Sequence, residues 1–237
     1  ELQVADRISF RVFLGTTEVI PDYTTVWLFR ERLIKTGKYE AIWEEFLNQL
    51  RAKGYEVKKG VIQDATFITS DPGHAKSDVP RGKEAKTRRS KDGEWAKKGN
   101  KSYFGYKGHI KTDTENNFIW KVETTVANTH DSRVDLANAG EVRYGDKGYH
   151  GAKTKGYDAS MKRAARGHPL SIFDELRNKR ISSKRSPVER CFSVMKIVFR
   201  AGHVMVTTVE RAAVKMMFNA IGYNLLNLLS KVNKKAA

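Results

Sequence analysis

The chain has 237 residues and carries 44 Lys+Arg against 27 Asp+Glu, a net charge of +17 at pH 7. That excess favours a polyanionic partner, because neutralised phosphates release counterions, and no apolar run of about 18 residues competes by offering a bilayer span. The single Cys191 rules out an internal disulfide framework and suits a reducing cytoplasm, and no basic-then-apolar leader precedes the first element.

Residues 1–59 read as a small helical segment. Thr24-Thr25 open a helix that Gly37 closes, and Ile42, Trp43, Phe46, Leu47 and Leu50 recur at helical spacing until Gly54. Core packing is the expected role of the aromatic residues here. Strand character begins at Gly60 with Val61-Ile62-Gln63-Asp64-Ala65-Thr66-Phe67-Ile68, an apolar run holding one carboxylate. Residues 70–101 lack hydrophobic periodicity and read as a long basic loop. Trp95 within it is placed either to stack on an unpaired base or to anchor its loop.

Strands return at 102–110 and, past a turn at Glu115-Asn116-Asn117, at 118–126 as a hairpin partner. Here Lys107 is expected to face DNA and Tyr106 the core. A short helix is expected after Asp131-Ser132, then a strand ending Val142-Arg143-Tyr144-Gly145-Asp146 before a turn. Residues 150–184 again read as basic and irregular. From Ser186 to about Val198 a helix is expected, with Pro187 at its first turn, where a missing N–H costs nothing. The last helix, 208 to about 231, repeats Val209, Ala212, Ala213, Met216, Ala220, Ile221, Leu225, Leu228 and Leu229 as a stripe for burial against a sheet.

Two strand carboxylates and one helix carboxylate, Asp64, Asp146 and Glu189, stand out in so basic a chain. Metal-dependent chemistry on nucleic acid needs such hard oxygen ligands from separate segments, converging on two divalent ions about 4 Å apart. Taken singly, Asp146 also reads as a turn aspartate before Lys-Gly, and Glu189 as a first-turn acid favoured by the helix dipole. Arg185 and Lys196 read either as solvated charges at the two ends of a helix or as phosphate contacts. Lys196 follows Glu189 by seven residues, two turns along one face. His130-Asp131 can donate to a phosphate or a metal shell, or cap the helix that follows. Residues 81–111 hold eleven Lys/Arg against three acids, and 147–200 fourteen against four, so the positive field surrounds the carboxylates.

The resemblance is carried by ordered blocks. Arg185, Glu189 and Lys196, separated by three and six residues, resemble the R(3)E(6)K part of the Y(2)R(3)E(6)K signature of DDE transposases from bacterial and archaeal insertion sequences. Asp6-Arg7, Phe10–Gly15, Ile20-Pro21-Asp22, Phe29–Leu33, Asp64-Ala65-Thr66, Tyr106–His109, Ala127–Ser132 and Asp146–Tyr149 follow in the order of the insertion-sequence-5 group (IS4/IS5-type). The similarity spans nearly the whole chain. One departure is plain: Ser182 stands where the signature has tyrosine.

The order of strand, hairpin, strand and helix, together with this resemblance, implies an α/β, RNase H-like core: a mixed sheet flanked by helices, with a small helical N-terminal segment. The implied division is a DNA-associated segment at 1–59, truncated because the chain starts at Glu1 partway into the family pattern, and a catalytic domain at 60–237. Asp64 would bridge two Mg²⁺ ions (Mn²⁺ as a substitute), Asp146 would hold one and Glu189 would close the site. Arg185, Lys196, Lys107, Lys97, Lys98, Lys101, Arg88 and Arg89 would contact DNA, with His130, Asp131 and Tyr149 as auxiliaries. The implied reaction nicks double-stranded DNA at terminal inverted repeats and joins the 3′-hydroxyl to target DNA, by a homodimer or larger assembly on the nucleoid in the cytoplasm. The alternative is a transposase-derived DNA-binding protein or truncated remnant that does not cut.

Overall fold

The computed structural model describes residues 7–15, 20–73 and 90–236. They form two compact units divided between Ile42 and Trp43, earlier than the expected break after residue 59. The first unit holds α1 (Ile8–Phe13) and α2 (Tyr23–Thr36) and the start of α3 (Lys38–Ala52). The α2 helix starts at Asp22, whose carboxylate accepts the Thr25 N–H at 2.7 Å, and stops at Gly37, which takes the left-handed conformation with φ 67°. Trp27 and Phe29 are about half exposed, so core packing fails for the α2 aromatics.

It holds for α3, and this explains where the units divide. Trp43, Phe46, Leu47 and Leu50 pack with Phe118 and Trp120, which ties the second half of α3 to the sheet. Tyr55 meets the Phe118 ring edge-on at 4.8 Å, and the Arg51 guanidinium lies over Trp120.

The second unit is built on a seven-stranded mixed sheet: β1 (Gly60–Ser70), β2 (Glu94–Lys98), β3 (Lys101–Asp113), β4 (Ile119–Val126), β5 (Val142–Tyr144), β6 (Tyr157–Asp158) and β7 (His203–Val204). β1 is central. It pairs antiparallel with β3 on one edge, and parallel with β5 and β7 at the two ends of the other. β3 carries both β2 and β4 on its far side, and β6 extends β5. This is the expected mixed sheet flanked by helices, with an RNase H-like core. No helix among the described residues is long and apolar enough to cross a membrane.

The hairpin between β3 and β4 turns on Asp113. Its carboxylate accepts the N–H groups of Glu115 (3.0 Å), Asn116 and Phe118 (2.9 Å) and the Trp120 indole N–H (3.0 Å). The expected turn at 115–117 is therefore held by a buried side chain, with Asn117 at positive φ.

Two expected loops contain regular structure. Residues 94–98 are strand β2, paired with β3 through a tight turn in which Gly99 has φ 59°. Its Lys97 and Lys98 hide the strand from a search for alternating apolar residues, yet lysines are what an exposed edge strand carries. Residues 172–185 are a helix, α4 (Ile172–Arg185), opened by Ser171, which accepts the Asp174 N–H at 3.1 Å. Polar clips hold this helix. Buried Asn178 bonds both the N–H and the C=O of Lys162, and Arg177 donates to the Ser160 carbonyl.

One face of the sheet carries the apolar core. Ile62, Ile68, Tyr106 and Ile110 meet Val188, Cys191, Phe192 and Met195 of α5 (Pro187–Ile197), and Ala212, Met216, Ala220 and Tyr223 of α6 (Val209–Ala236). Asn224 bonds both the N–H and the C=O of Ile119, each at 2.8 Å, fastening α6 to β4. The stripe expected on α6 is right as far as Ala220 and again at Leu228, which packs against the α3 cluster, but Leu225 and Leu229 are about half exposed. There Asn227 and Lys231 reach the Asn116 turn instead, where the sheet ends.

The other face is polar and equally buried. Gln63 is clipped between the Val134 carbonyl (2.6 Å) and the Leu136 N–H (2.9 Å). Lys111 pairs with Glu141 at 3.0 Å, and fully buried Arg143 lies between Asp158 (3.1 Å) and Asp135 (3.5 Å). Truncating the α3 contact should unlatch its helix from the sheet. Leu50→Ala is expected to cost about 2–5 kcal/mol in urea unfolding, whereas Leu225→Ala should stay within about 0.5 kcal/mol of wild type.

Candidate active site

Asp64 and Asp146 are brought together by strand register. β5 runs parallel to β1 with Tyr144 opposite Ile62, and the ladder stops there. Two residues beyond that pair lie Asp64, still within β1, and Asp146, just past the carboxyl end of β5, near enough for the charge of Asp146 to be felt at Asp64. Ligands of open α/β sheets gather at such a point, where neighbouring connections leave in different directions. Asp146 caps the single-turn 3₁₀ helix Lys147–Tyr149, its Oδ1 accepting the Gly148 N–H at 2.8 Å. It is thus both a turn aspartate and a neighbour of Asp64.

Asp64 Oδ1 accepts its neighbour Ala65 N–H at 2.8 Å, and Oδ2 accepts from Arg185 Nη2 at 3.0 Å. Burial pushes the Asp64 carboxyl up to about 6, the Arg185 cation opposes the rise, and the charges of Asp146 and Asp131 add to it. Three carboxylates therefore share one region. Tyr149 is fully buried beside them, its hydroxyl without a hydrogen-bond partner; burial, then Asp131 and Asp64, push it far above the usual phenol range.

Arg185 ends α4, and its side chain is only 14% exposed. It points inward at Asp64 and is not a solvated charge. Glu189 lies one turn after Arg185, exposed in the first turn of α5. Among the described residues, no three His, Cys, Asp or Glu side chains are already gathered as a metal-holding group, and Glu189 is not among the charges felt at Asp64.

Lys196 is exposed near the end of α5, and its ammonium is held below the ordinary lysine range by partial burial and by the charge of Lys98. That repulsion places the β2–β3 turn beside α5. Lys97, Lys98 and Lys101 are exposed on this turn, Lys98 opposite Lys101. Trp95 is half exposed against Phe104, at 5.3 Å between rings. Arg88 and Arg89 lie outside the described residues.

Lys107 does not face DNA. It is 8% exposed, donates to the Thr129 carbonyl at 2.7 Å and lies 2.9 Å from Asp131 Oδ1. The alternation of β3 explains the correction: Lys107, His109 and Lys111 share the covered polar face, while Tyr106, wholly buried as expected, turns to the core. His130 caps the 3₁₀ turn Asp131–Arg133, its Nδ1 accepting the Ser132 N–H. The Arg185–Asp64 and Lys107–Asp131 pairs were not foreseeable from local spacing. For Lys107 a signal was nonetheless there, since a lysine that shares alternate strand positions with His109 and Lys111 must share their surroundings.

With the two aspartates and Arg185 in place, comparison with known proteins is decisive. Residues 55–225 match the family model described as the transposase DDE domain. The chain belongs to this family. It is 25% identical over 229 residues, 88% of this chain and 79% of the relative, to the transposase for insertion sequence element IS1106 of Neisseria meningitidis serogroup B. No solved structure matches. Family membership carries a DNA substrate and nuclease or transferase activity in general, and the family generally uses divalent metal ions.

His109 gives this region a measurable pH signature. Burial pushes its imidazolium down from 6.5 to about 4, the Asp131 charge opposing and Lys107 adding to the fall. Between those values the unfolded chain binds more protons than the folded protein, so this residue's contribution to stability is lost as pH falls from 6.5 toward 4. Asp64, raised to about 6, acts with the opposite sign over the same range, so the measurement is a difference: the urea midpoint of the wild type relative to His109→Gln should fall as pH is lowered from about 7 to about 4.5. A difference that stays constant with pH would remove His109 as a source.

Proposed function

We propose that this chain cuts DNA strands at the ends of a mobile element and joins the freed 3′-hydroxyl to target DNA, with Asp64, Asp146 and Glu189 as its carboxylate set. The observation that supports this reading is the β1–β5 pairing, which leads Asp64 and Asp146 into one region where the charge of Asp146 is felt at Asp64, with Arg185 on Asp64. The donor chemistry fits divalent ions. All three groups are hard oxygen ligands, and the negative charge of Asp64, disfavoured first by burial and further by Asp146 and Asp131, is what a cation between the carboxylates would stabilise.

Asp64 and Asp146 would hold Mg²⁺, or Mn²⁺ in its place, with Glu189 closing the set from α5. Two such ions, when bound, would activate a water or a 3′-hydroxyl and stabilise the leaving oxygen. The protein's own part is placement. The guanidinium of Arg185, planar and forked, suits a carboxylate on one side and a phosphate oxygen on the other. Lys196, with Lys98 beside it, forms an exposed basic flank that would offer cations to the DNA backbone. The β2–β3 turn extends that flank with Lys97 and Lys101, and oligomeric assembly would bring paired ends together.

A second reading, binding without cutting, is favoured by one observation: among the described residues no three carboxylates or other metal-ligating side chains are already gathered. Single-turnover nicking of an end substrate in Mg²⁺ separates the two. Asp64→Asn, Asp146→Asn and Glu189→Gln should each lose at least about 100-fold in rate, on the order of 3 kcal/mol of transition-state stabilisation, with DNA affinity kept. Wild-type protein that binds but never nicks would establish the second reading instead.

Salt dependence tests the flank. Replacing Lys97, Lys98 and Lys101 together by Gln should weaken binding to all sequences alike. The slope of log affinity against log salt should flatten by about 2–3. Weakening confined to one sequence, at constant slope, would make them base readers.

A further inference from the structure

We propose that the ion pair between buried Lys107 and half-buried Asp131 is a strut that sets Asp146 against Asp64, making both members positioning residues for strand cleavage. The inference rests on the proposed strand-cutting function and adds to it two side chains that touch neither substrate nor reacting atoms.

Lys107 is fixed from three directions. Its ammonium donates to the Thr129 carbonyl at 2.7 Å, lies 2.9 Å from Asp131 Oδ1, and sits 5.1 Å from the centre of the Phe67 ring. Phe67 is its cross-strand partner on β1, three residues beyond Asp64. The Asp131 contact is an ion pair without hydrogen-bond alignment, since Oδ1 is buried and accepts none. A lysine so enclosed is costly unless its charge is met, and removing Asp131 leaves it buried without an ion-pair partner.

What the strut holds is a turn. Asp131 begins the 3₁₀ turn Asp131–Arg133, and this turn packs on the 3₁₀ turn Lys147–Tyr149 that Asp146 caps. A continuous path of packed groups thus leads from Phe67 on β1, through Lys107 and Asp131, to Asp146. The ladder between β1 and β5 ends at Ile62 and Tyr144, so the spacing of the two aspartates beyond that point is not fixed by backbone pairing. The strut supplies the missing restraint. It also meets the charge of Asp131, which is felt at Asp64 and Tyr149 and would otherwise bear more heavily on both.

The experiment compares the full chain with Lys107→Met, Lys107→Arg and Asp131→Asn. It reads single-turnover cleavage against Mg²⁺ concentration, DNA affinity, urea unfolding, and cutting of the polypeptide near Asp64 and Asp146 by Fe²⁺ with ascorbate and peroxide. The last reports metal affinity without requiring DNA cleavage. Lys107→Met is expected to raise the Mg²⁺ needed for half-maximal cleavage about 10- to 100-fold, as loss of an outer support does, and to weaken iron-directed cutting. DNA affinity should stay within about twofold of wild type, in line with one interior charge lost among many phosphate contacts, and Lys107→Arg should recover most of the loss.

If Lys107→Met fails to unfold cooperatively, Asp131→Asn carries the same expectation with no change in size. Loss of folding in both would make the pair structural only and overturn the proposal. So would either folded variant with wild-type Mg²⁺ dependence and iron cutting, in a wild-type background that cleaves. Wild-type protein that neither cleaves DNA nor directs iron cutting at Asp64 would overturn the functional reading, and the strut's catalytic purpose with it.

Discussion

Water reaches only a fifth of the Asp64 side chain, so its negative charge must be answered by neighbours. The rest of the unit can be understood from that demand. Arg185 answers it from α4, and α4 can present Arg185 only because polar clips at Asn178 and Arg177 hold a helix that buries little apolar surface. Asp146 and Asp131 make the demand sharper by adding charge of the same sign. A site that gathers like charges at some cost in stability is poised to gain from a cation.

Positive charge in this chain comes in two populations that net charge counts alike. Lys107, Lys111 and Arg143 lie inside, each met by Asp131, Glu141, or Asp135 and Asp158 on one face of the sheet. For Lys111, burial outweighs the help of Glu141 and holds its ammonium below the ordinary range. Lys97, Lys98, Lys101 and Lys196 lie outside, close enough for Lys98 to repel Lys196. Only the second population is free to meet a polyanion. The internal pairs fasten the segment 127–160 over the sheet, and with it the turn that Asp146 caps.

Much of this was legible in the sequence where local chemistry decides structure. The apolar run around Asp64, the turn beyond Asp113, Pro187 at the start of α5 and Gly37 at the end of α2 each act through their own backbone or nearest neighbours. Where partners come from far along the chain, local pattern was not enough. β2 is a strand because β3 lies beside it, and α4 is a helix fastened by polar bonds to residues 160–162. Of the site, the two aspartates could be named in advance. That Arg185 turns to Asp64, and Lys107 to Asp131, depends on pairings across 121 and 24 residues, the first set by the fold alone and the second by the strand's alternation.

The packing of α5 has a mechanical consequence. Val188, Cys191, Phe192 and Met195 all lie in the core, on both sides of Glu189 in the sequence, so the helix is keyed against rolling about its axis. Its lone thiol is sealed in the same contact, its proton held tightly by burial. The helix is a fixed rail. Any approach of Glu189 to the aspartates is therefore left to rotation about its own three side-chain bonds, while the scaffold stays still.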